Sequence, residues 1–345
     1  MAVFSNGGIG IDFGSGNTTV YLEDEETVYR EPTCALVSRE NASEIFALGK
    51  DAHRMIGRTM QDSALISPVS DGGVADSDLA AMMILSAAEK ATERRKPFEK
   101  SRLAITIPHG ATRVERAALA SAVQLTGAKK ALIMKSSVAA AIGAQLRIER
   151  PRAHLIISVG SCVTEISILS LFGVVASRTM KTGSLAFDEA IVRYIRREKG
   201  LVIGLNTAEE LKKDIGSAIA PDKPSDPVLL RGRHVRTGKP STESVTSLDI
   251  ARALEEPIRA ITEALSDALY NVPPELAGDI LEDGIHVTGG GALLEGFIEK
   301  LKKETQLDVF MSAHPQDDAA LGAGRAASDD RLARHLINAG SAFEV

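Results

Sequence analysis

The chain has 345 residues, with 40 Lys and Arg against 46 Asp and Glu, a formal charge of -6, 44% hydrophobic residues, 4% aromatics and no Trp. At roughly 150 residues per domain this length predicts two domains, and the negative balance with few aromatics excludes a nucleic-acid surface, which needs basic stripes and stacking rings. The most apolar continuous run, Ala80 to Leu85, is far short of the roughly 20 residues that cross a bilayer.

The N-terminus shows neither a basic nor an apolar leader pattern. Cys34 and Cys162 lie far apart without metal-like spacing, which suits a reducing compartment, so a cytoplasmic location is expected. Gly8 to Leu22 (GIGIDFGSGNTTVYL) reads as strand, turn and strand. Helical patterns follow at Asp78 to Arg94 and Val114 to Thr126, with strands at Arg102 to Ile107 and Ala131 to Met134. Strands recur at His154 to Val159, Glu165 to Leu171 and Gly173 to Arg178. The apolar set Phe187, Ala190, Ile191, Tyr194 and Ile195 then predicts an amphipathic helix. Helices are expected at Thr207 to Ile219, Ser247 to Tyr270 and Ala292 to Thr305, with strands at Gly284 to Thr288 and Leu307 to Phe310. Pro221 to Pro227 and Arg231 to Pro240 read as exposed connections. Strands interleaved with helices of this length predict an α/β fold.

Several segments admit a chemical and a structural reading. Gly14, Ser15, Gly16 and Asn17 form either an ordinary hairpin turn or a backbone cradle for phosphate, and Asp12 before them either stabilises the turn or faces a hard cation such as Mg²⁺. Gly289, Gly290, Gly291 and Ala292 stand between a strand and a helix, as a tight connection or as a phosphate-facing turn. Glu115 opens a helix, either as partner of its dipole or as a carboxylate that orients a water. Thr207 and Glu210 fit a capping box. At an offset of 146 residues Gly14, Ser15 and Thr18 recur as Gly160, Ser161 and Thr164, a chance match or the trace of a duplication.

Taken in order, these segments resemble the bacterial actin homologues of the MreB family over nearly the whole chain. The resemblance rests on the opening hairpin, Gly57-Arg58-Thr59, Pro68 to Asp76 (PVSDGGVAD), Pro108 to Arg116, Ala139 to Gly143, Phe187 to Ile191, Thr207 to Glu210, Ile215 to Ala218, Leu254 to Pro257, Pro273 to Ala277 and Thr288 to Leu294. It implies an actin-like, duplicated ribonuclease-H-like fold with ATP or ADP and Mg²⁺ between two domains. Residues 1–148 with 315–345 would form the first domain, with a smaller subdomain at about 32–72, and 149–314 the second, with one at about 186–246. It further implies Gly14 to Asn17 and Gly160, Ser161 and Cys162 at the phosphates, Asp12 at the metal, Glu115 at the attacking water, Glu209 and Lys212 on the adenine and ribose side, and Gly289 to Ala292 as the second domain's nucleotide turn. The implied partners are further copies of the chain in paired protofilaments, paralogues of the family and proteins of cell-wall elongation.

The chain departs from the family pattern at its second phosphate hairpin, where Asp-Ile-Gly-Gly-Gly-Thr-Thr-Glu is replaced by Ser158-Val159-Gly160-Ser161-Cys162-Val163-Thr164-Glu165. A carboxylate is lost at Ser158, and Cys162 would be strained if its position required φ > 0. Lys135-Ser136-Ser137 stands for Glu-Glu-Pro, and Leu185 for an acid. Weak ATPase activity at most is therefore expected, because phosphoryl transfer depends on electrostatic stabilisation. For the family's membrane loop only Phe98 offers an apolar tip, amid Arg94, Arg95, Lys96 and Lys100, so the loop gives either weak, avidity-dependent membrane contact or a solvated basic surface. The alternatives are a degenerate paralogue that modulates an active family member, a small-molecule kinase of the same superfold, and a chaperone-like ATPase.

Overall fold

The computed structural model describes residues 7–41, 44–56 and 62–345; the Gly57-Arg58-Thr59 landmark lies outside them. β1 (Gly8–Phe13), β2 (Asn17–Leu22) and β3 (Thr27–Pro32) form an antiparallel meander. Next come β4 (Ala35–Ser38), β5 (Ile45–Leu48), α1 (Gly49–Arg54) and β6 (Ser63–Ile66), of which the strands pair as a separate small sheet. The short pair β7 (Val69–Ser70) and β8 (Gly73–Val74) leads into α2 (Ser77–Thr92), β9 (Arg102–Ile107), α3 (Arg113–Leu125), β10 (Ala131–Lys135) and α4 (Ser136–Gly143).

A second meander follows in β11 (His154–Val159), β12 (Thr164–Ser170) and β13 (Gly173–Met180). After it come α5 (Ser184–Glu198), β14 (Leu201–Val202), α6 (Leu205–Ile215), and the hairpin β15 (Val228–His234) and β16 (Pro240–Val245). The long α7 (Ser247–Tyr270) and α8 (Pro274–Asp283) precede β17 (Ile285–Thr288), α9 (Phe297–Thr305) and β18 (Val309–Met311). The chain closes with α10 (Asp318–Ser328), α11 (Asp330–Asn338) and β19 (Ala342–Glu344).

The two principal sheets run β19-β10-β9-β1-β2-β3 and β13-β12-β11-β17-β18. In each, a meander pairs in parallel with a strand that returns after a helical excursion. The 146-residue echo reappears as register: Asp12 faces Thr19 and Phe13 faces Thr18, while Ser158 faces Glu165 and Val159 faces Thr164. The turns close alike, the Gly14 N–H donating to the Asn17 carbonyl at 3.1 Å and the Gly160 N–H to the Val163 carbonyl at 2.9 Å.

Apolar residues on alternate strand positions place a core on each sheet. Ile9, Ile11, Leu103, Ile105 and Ile133 pack with Met83, Ile84, Leu119 and Val123 of the α2 and α3 helices. Leu155, Ile157 and Val159 pack with Phe187, Ile191, Leu254, Ile258 and Ile261 of α5 and α7. Each such side chain contributes about 1.5–3 kcal/mol. A third cluster joins the sheets, with Ala139, Ala140 and Ala141 of α4 and Ala323, Ala326 and Ala327 of α10 between Leu132 and Met134 on one side and Ile156 and Leu169 on the other. The helices cross closely: a Cβ at Gly322 would lie 1.8 Å from the Ala139 carbonyl oxygen, and one at Gly143 would lie 1.9 Å from that of Asp318.

Some expectations change. Arg231 to His234 belongs to β15, so the basic segment is a hairpin and not a loose connection. The helix expected from Ala292 starts at Phe297, after a short 3-10 turn over Gly290–Leu293, because Gly296 takes φ 71° at its N-cap. Gly204 caps α6, which puts Thr207 inside the first turn and removes the expected Thr207–Glu210 box. Phe98 is 3% exposed and packed in the first sheet's core. It is therefore no membrane tip: the apolar ring is drawn inward, and the neighbouring Arg94, Arg95 and Lys96 are left exposed.

Candidate functional site

The chemistry-bearing residues collect where the two meanders turn towards each other. Gly16 and Ser161 touch across this line, since a Cβ on Gly16 would sit 2.7 Å from the Ser161 Cβ. Neither Ser161 nor Cys162 adopts a positive φ, so the side chains gained there cost no backbone strain. The Gly160 and Ser161 carbonyls accept, at 2.9 Å each, from the N–H groups of Ser184 and Leu185 at the start of α5. A Cβ on Gly183 would lie 2.4 Å from the Ser161 carbonyl oxygen, which keeps this junction tight.

Asp12, near the end of β1, accepts a hydrogen bond from the Thr106 hydroxyl on β9. Burial pushes its carboxyl above the ordinary range, against the lowering effect of that bond. Opposite lies a residue to which sequence reasoning gave no role. Glu165 is 4% exposed, accepts from the His109 backbone N–H at 2.6 Å and accepts from the Ser136 hydroxyl. Burial raises its carboxyl, the Ser136 and His109 bonds oppose this, and the Asp12 charge adds to the rise. A second-meander side chain thus ties together the loop after β9 and the start of α4. The available signal is a charged residue in a strand of otherwise apolar and small residues, two positions beyond the turn.

Beside this pair, His109 Nδ1 is buried without a hydrogen-bond partner. Burial lowers the pKa of both His109 and Lys135, and the Arg116 charge adds to each. Two carboxylates raised by burial, with the Asp12 charge adding to the rise of Glu165, fit a hard cation with its waters, which takes one or two carboxylates alongside phosphate oxygens. The residues present therefore suit Mg²⁺, with Asp12 and Glu165 as its acids and a hydroxyl at Ser158.

Glu115 takes the first of its two readings and leaves room for the second. Its Oε2 accepts from the Thr112 N–H at 2.6 Å and the Thr112 hydroxyl at 2.8 Å, completing a capping box on α3. Its Oε1 lies over Gly73, where a Cβ would come within 2.4 Å. The segment with Gly72 and Gly73 reaches the second meander through Lys181, whose Nζ donates to Asp71 at 2.8 Å.

Glu209 and Lys212 sit on α6 at the flank. Lys212 Nζ lies 2.8 and 2.9 Å from the two Asp188 oxygens and donates to the Ser184 carbonyl at 3.2 Å. Burial raises Glu209, but Lys213, Lys212 and His53, which approaches from the first half, together hold it below the ordinary range. Gly289, at φ 87°, places its missing Cβ 2.4 Å from the Val159 carbonyl oxygen, and Gly291 packs on the Val159 side chain. Gly289 to Ala292 therefore buttress the strand that carries the second turn. The structure brings Asp12, the two turns, Glu165 and Gly289 to Ala292 together, with Glu115 and α6 on either side.

The family model described as MreB/Mbl protein matches residues 6–335. The cell shape-determining protein MreB of Escherichia coli (strain K12) is 36% identical over 327 residues, covering 94% of each chain. The cell shape-determining protein Mbl of Bacillus subtilis (strain 168) is 33% identical over 316 residues, covering 92% of this chain and 94% of its own. The crystal structure of MreB5 of Spiroplasma citri bound to AMPPNP superposes with a TM-score of 0.88 at 31% identity, over 97% of this chain and 99% of that one. The MamK double helical filament, at 20% identity, shares the fold with a TM-score of 0.77 over 93% of this chain and 98% of that one.

Proposed function

Because this chain belongs to the MreB/Mbl family, we propose that it is a cell shape-determining cytoskeletal actin homologue that binds ATP or ADP between two domains and assembles into paired protofilaments. On this reading residues 1–148 with 315–345 form one domain and 149–314 the other. The observation that carries the proposal is the pair of turns in identical register, Gly14 to Asn17 and Gly160 to Val163, meeting over the half-buried Asp12 and the buried Glu165. The relative from Spiroplasma citri is described bound to AMPPNP and to ADP, which supports nucleotide in the same place here.

In the proposed mechanism the phosphates lie between the turns, held by N–H groups of Ser15 to Asn17 and of Ser161 and Cys162. Glu209 and Lys212 line the adenine and ribose side, and Gly289 to Ala292 back the second turn. Asp12 and Glu165 would hold Mg²⁺, which supplies charge neutralisation of the phosphates when bound. Glu115 orients the attacking water with Oε1, the oxygen that the cap leaves available. Turnover is slow because Ser158 offers a hydroxyl where the family pattern has a carboxylate. The protein acts in the cytoplasm as a homopolymer, with paralogues and cell-wall elongation proteins as further partners. Among the described residues no helix is long and apolar enough to cross a membrane.

Sedimentation and electron microscopy with and without ATP, on wild type and Ser158→Asp, test the proposal. Wild type should pellet more with ATP, and Ser158→Asp should release phosphate about tenfold to a hundredfold faster. Pelleting indifferent to nucleotide refutes nucleotide control, and equal phosphate release refutes the role given to Ser158. The same substitutions favour a second reading, in which the chain polymerises only with an active family member; co-sedimentation with one, and none alone, would support it.

A further inference from the structure

At the far end of β11 from the phosphate turn, three side chains from three elements converge. His154 opens β11, Asp283 ends α8 and His286 lies on β17. His154 directly precedes Leu155, the register partner of Ile285, while Ile156 faces His286. By strand alternation His154 and His286 are therefore diagonal neighbours on one face. Gly284, at φ 75° between α8 and β17, turns the chain sharply enough to bring Asp283 beside them. Their ligand atoms lie within 4.8 Å of one another.

The hydrogen bonds give this cluster its meaning. His154 Nε2 lies 3.3 Å from the Arg147 carbonyl oxygen, which only accepts, so Nε2 carries a hydrogen. In the neutral ring Nδ1 is then a lone pair, and it lies 2.6 Å from Asp283 Oδ2. Two acceptors at that distance need a proton or a metal ion between them. His286 Nε2 approaches the same Oδ2 at 3.1 Å, presenting a second imidazole to one carboxylate oxygen. A ring nitrogen aimed at a metal while the other donates to a backbone carbonyl is the usual arrangement of a ligating histidine.

We propose that His154, Asp283 and His286 form a binding site for one divalent transition-metal ion of the zinc class, separate from the nucleotide site. Two imidazole nitrogens and a carboxylate oxygen suit Zn²⁺ and its neighbours, whereas Mg²⁺ prefers oxygen alone. Around tetrahedral zinc, adjacent ligand atoms stand roughly 3.3 Å apart, so the 2.6 Å contact opens by about 0.7 Å and the 3.1 Å contact by about 0.2 Å, with all three ligand atoms already within 4.8 Å of one another. Asp283, with 28% of its side chain exposed, and His286, with 20%, give the ion its entrance and leave a coordination position for water. The bound ion clamps the ends of α8 and β11 to β17.

The test uses the full chain, stripped with a chelator, dialysed and free of nucleotide. Zn²⁺ is titrated calorimetrically and Co²⁺ by visible absorption, on wild type, His286→Ala and Asp283→Asn. Wild type should bind one Zn²⁺ per chain with a Co²⁺ spectrum of nitrogen and oxygen ligation. Both variants should bind at least about tenfold more weakly. Zn²⁺ should raise the thermal midpoint of wild type and not that of His286→Ala, a readout that stays usable if a variant is itself less stable. No saturable Zn²⁺ binding, a thiolate Co²⁺ spectrum, or binding unchanged in His286→Ala would each overturn the proposal in favour of a plain His154–Asp283 ion pair.

Discussion

Gly289→Ala probes the contact that couples the second half's central strands to its phosphate turn. Gly289 has φ 87°, and the added Cβ would lie 2.4 Å from the Val159 carbonyl oxygen and 2.6 Å from its carbon. A non-glycine residue at such a φ costs of order 1–3 kcal/mol. Because the obstacle is backbone, the clash adds about 1–3 kcal/mol of overpacking. The sum, about 2–6 kcal/mol, is a large share of the roughly 5–15 kcal/mol that holds a protein folded. Gly127→Ala is the control, since φ is 75° there and nothing lies within 4 Å, so it reports backbone strain alone. Urea midpoints should fall in the order wild type, Gly127→Ala, Gly289→Ala. Titration with a fluorescent ATP analogue should show weakened binding for Gly289→Ala only, because relief of the clash moves Val159 and the Gly160 turn. Equal stability losses in the two variants, or intact nucleotide binding by folded Gly289→Ala, would refute the buttress role.

Three further perturbations separate roles that sequence left merged. Glu115→Ala should lower stability by about 0.5–2 kcal/mol through loss of the α3 cap and also abolish phosphate release, whereas Glu115→Gln should keep most of the stability and still lose turnover; urea melts and phosphate assays read the two. Burial raises the Asp188 carboxyl from 3.8 to about 6 despite Lys212. A group with a raised folded pKa contributes stability that is complete below its unfolded pKa and is lost as pH rises through the folded one. Wild-type stability measured by urea should therefore fall relative to Asp188→Asn as pH rises from about 4 to beyond 6. Phe98→Ala should cost about 3–5 kcal/mol as a core truncation and leave sedimentation with anionic vesicles unchanged; loss of vesicle binding by a folded variant would restore the membrane role.

The opening hairpin, the interleaved strands and helices, and the 146-residue echo were legible because they are local: glycines mark turns, and alternating apolar residues mark strands with a buried face. The helix boundaries near Thr207 and Ala292 were not, because Gly204 and Gly296 set them, and a capping residue competes with several candidates in sequence. The burial of Phe98 is hidden for a similar reason, since an aromatic amid basic residues gives no sign of which way the ring turns until the fold gathers it into the cluster that also holds Leu103 and Ile105. Glu165 shows no role in the sequence, because its meaning depends on His109 and Ser136, 56 and 29 residues distant. The His154, Asp283 and His286 cluster was hidden likewise, since its members lie 129 and 3 residues apart and meet only through strand register.

The departures from the family pattern, weighed singly, look like damage, yet several act on one carboxylate. On the family pattern that the sequence resembles, Ser158 stands where an acid would face Glu165 across the strands, and the hydroxyl that donates to Glu165 belongs to Ser136, where that pattern has a glutamate. A glutamate at 136 would set a second carboxylate against the first in a buried place, a like-charge contact that disfavours ionisation of both. Serine converts that contact into a hydrogen bond. Beside it, Lys135 brings a half-buried ammonium near His109 and Arg116, where the pattern again has an acid. The three changes move the site from acid-rich towards cationic while keeping Asp12 and Glu165 as the acids at its centre. On the proposed reading that balance favours holding phosphate over cleaving it, because cations that neutralise the ground state and the transition state alike strengthen binding without lowering the barrier.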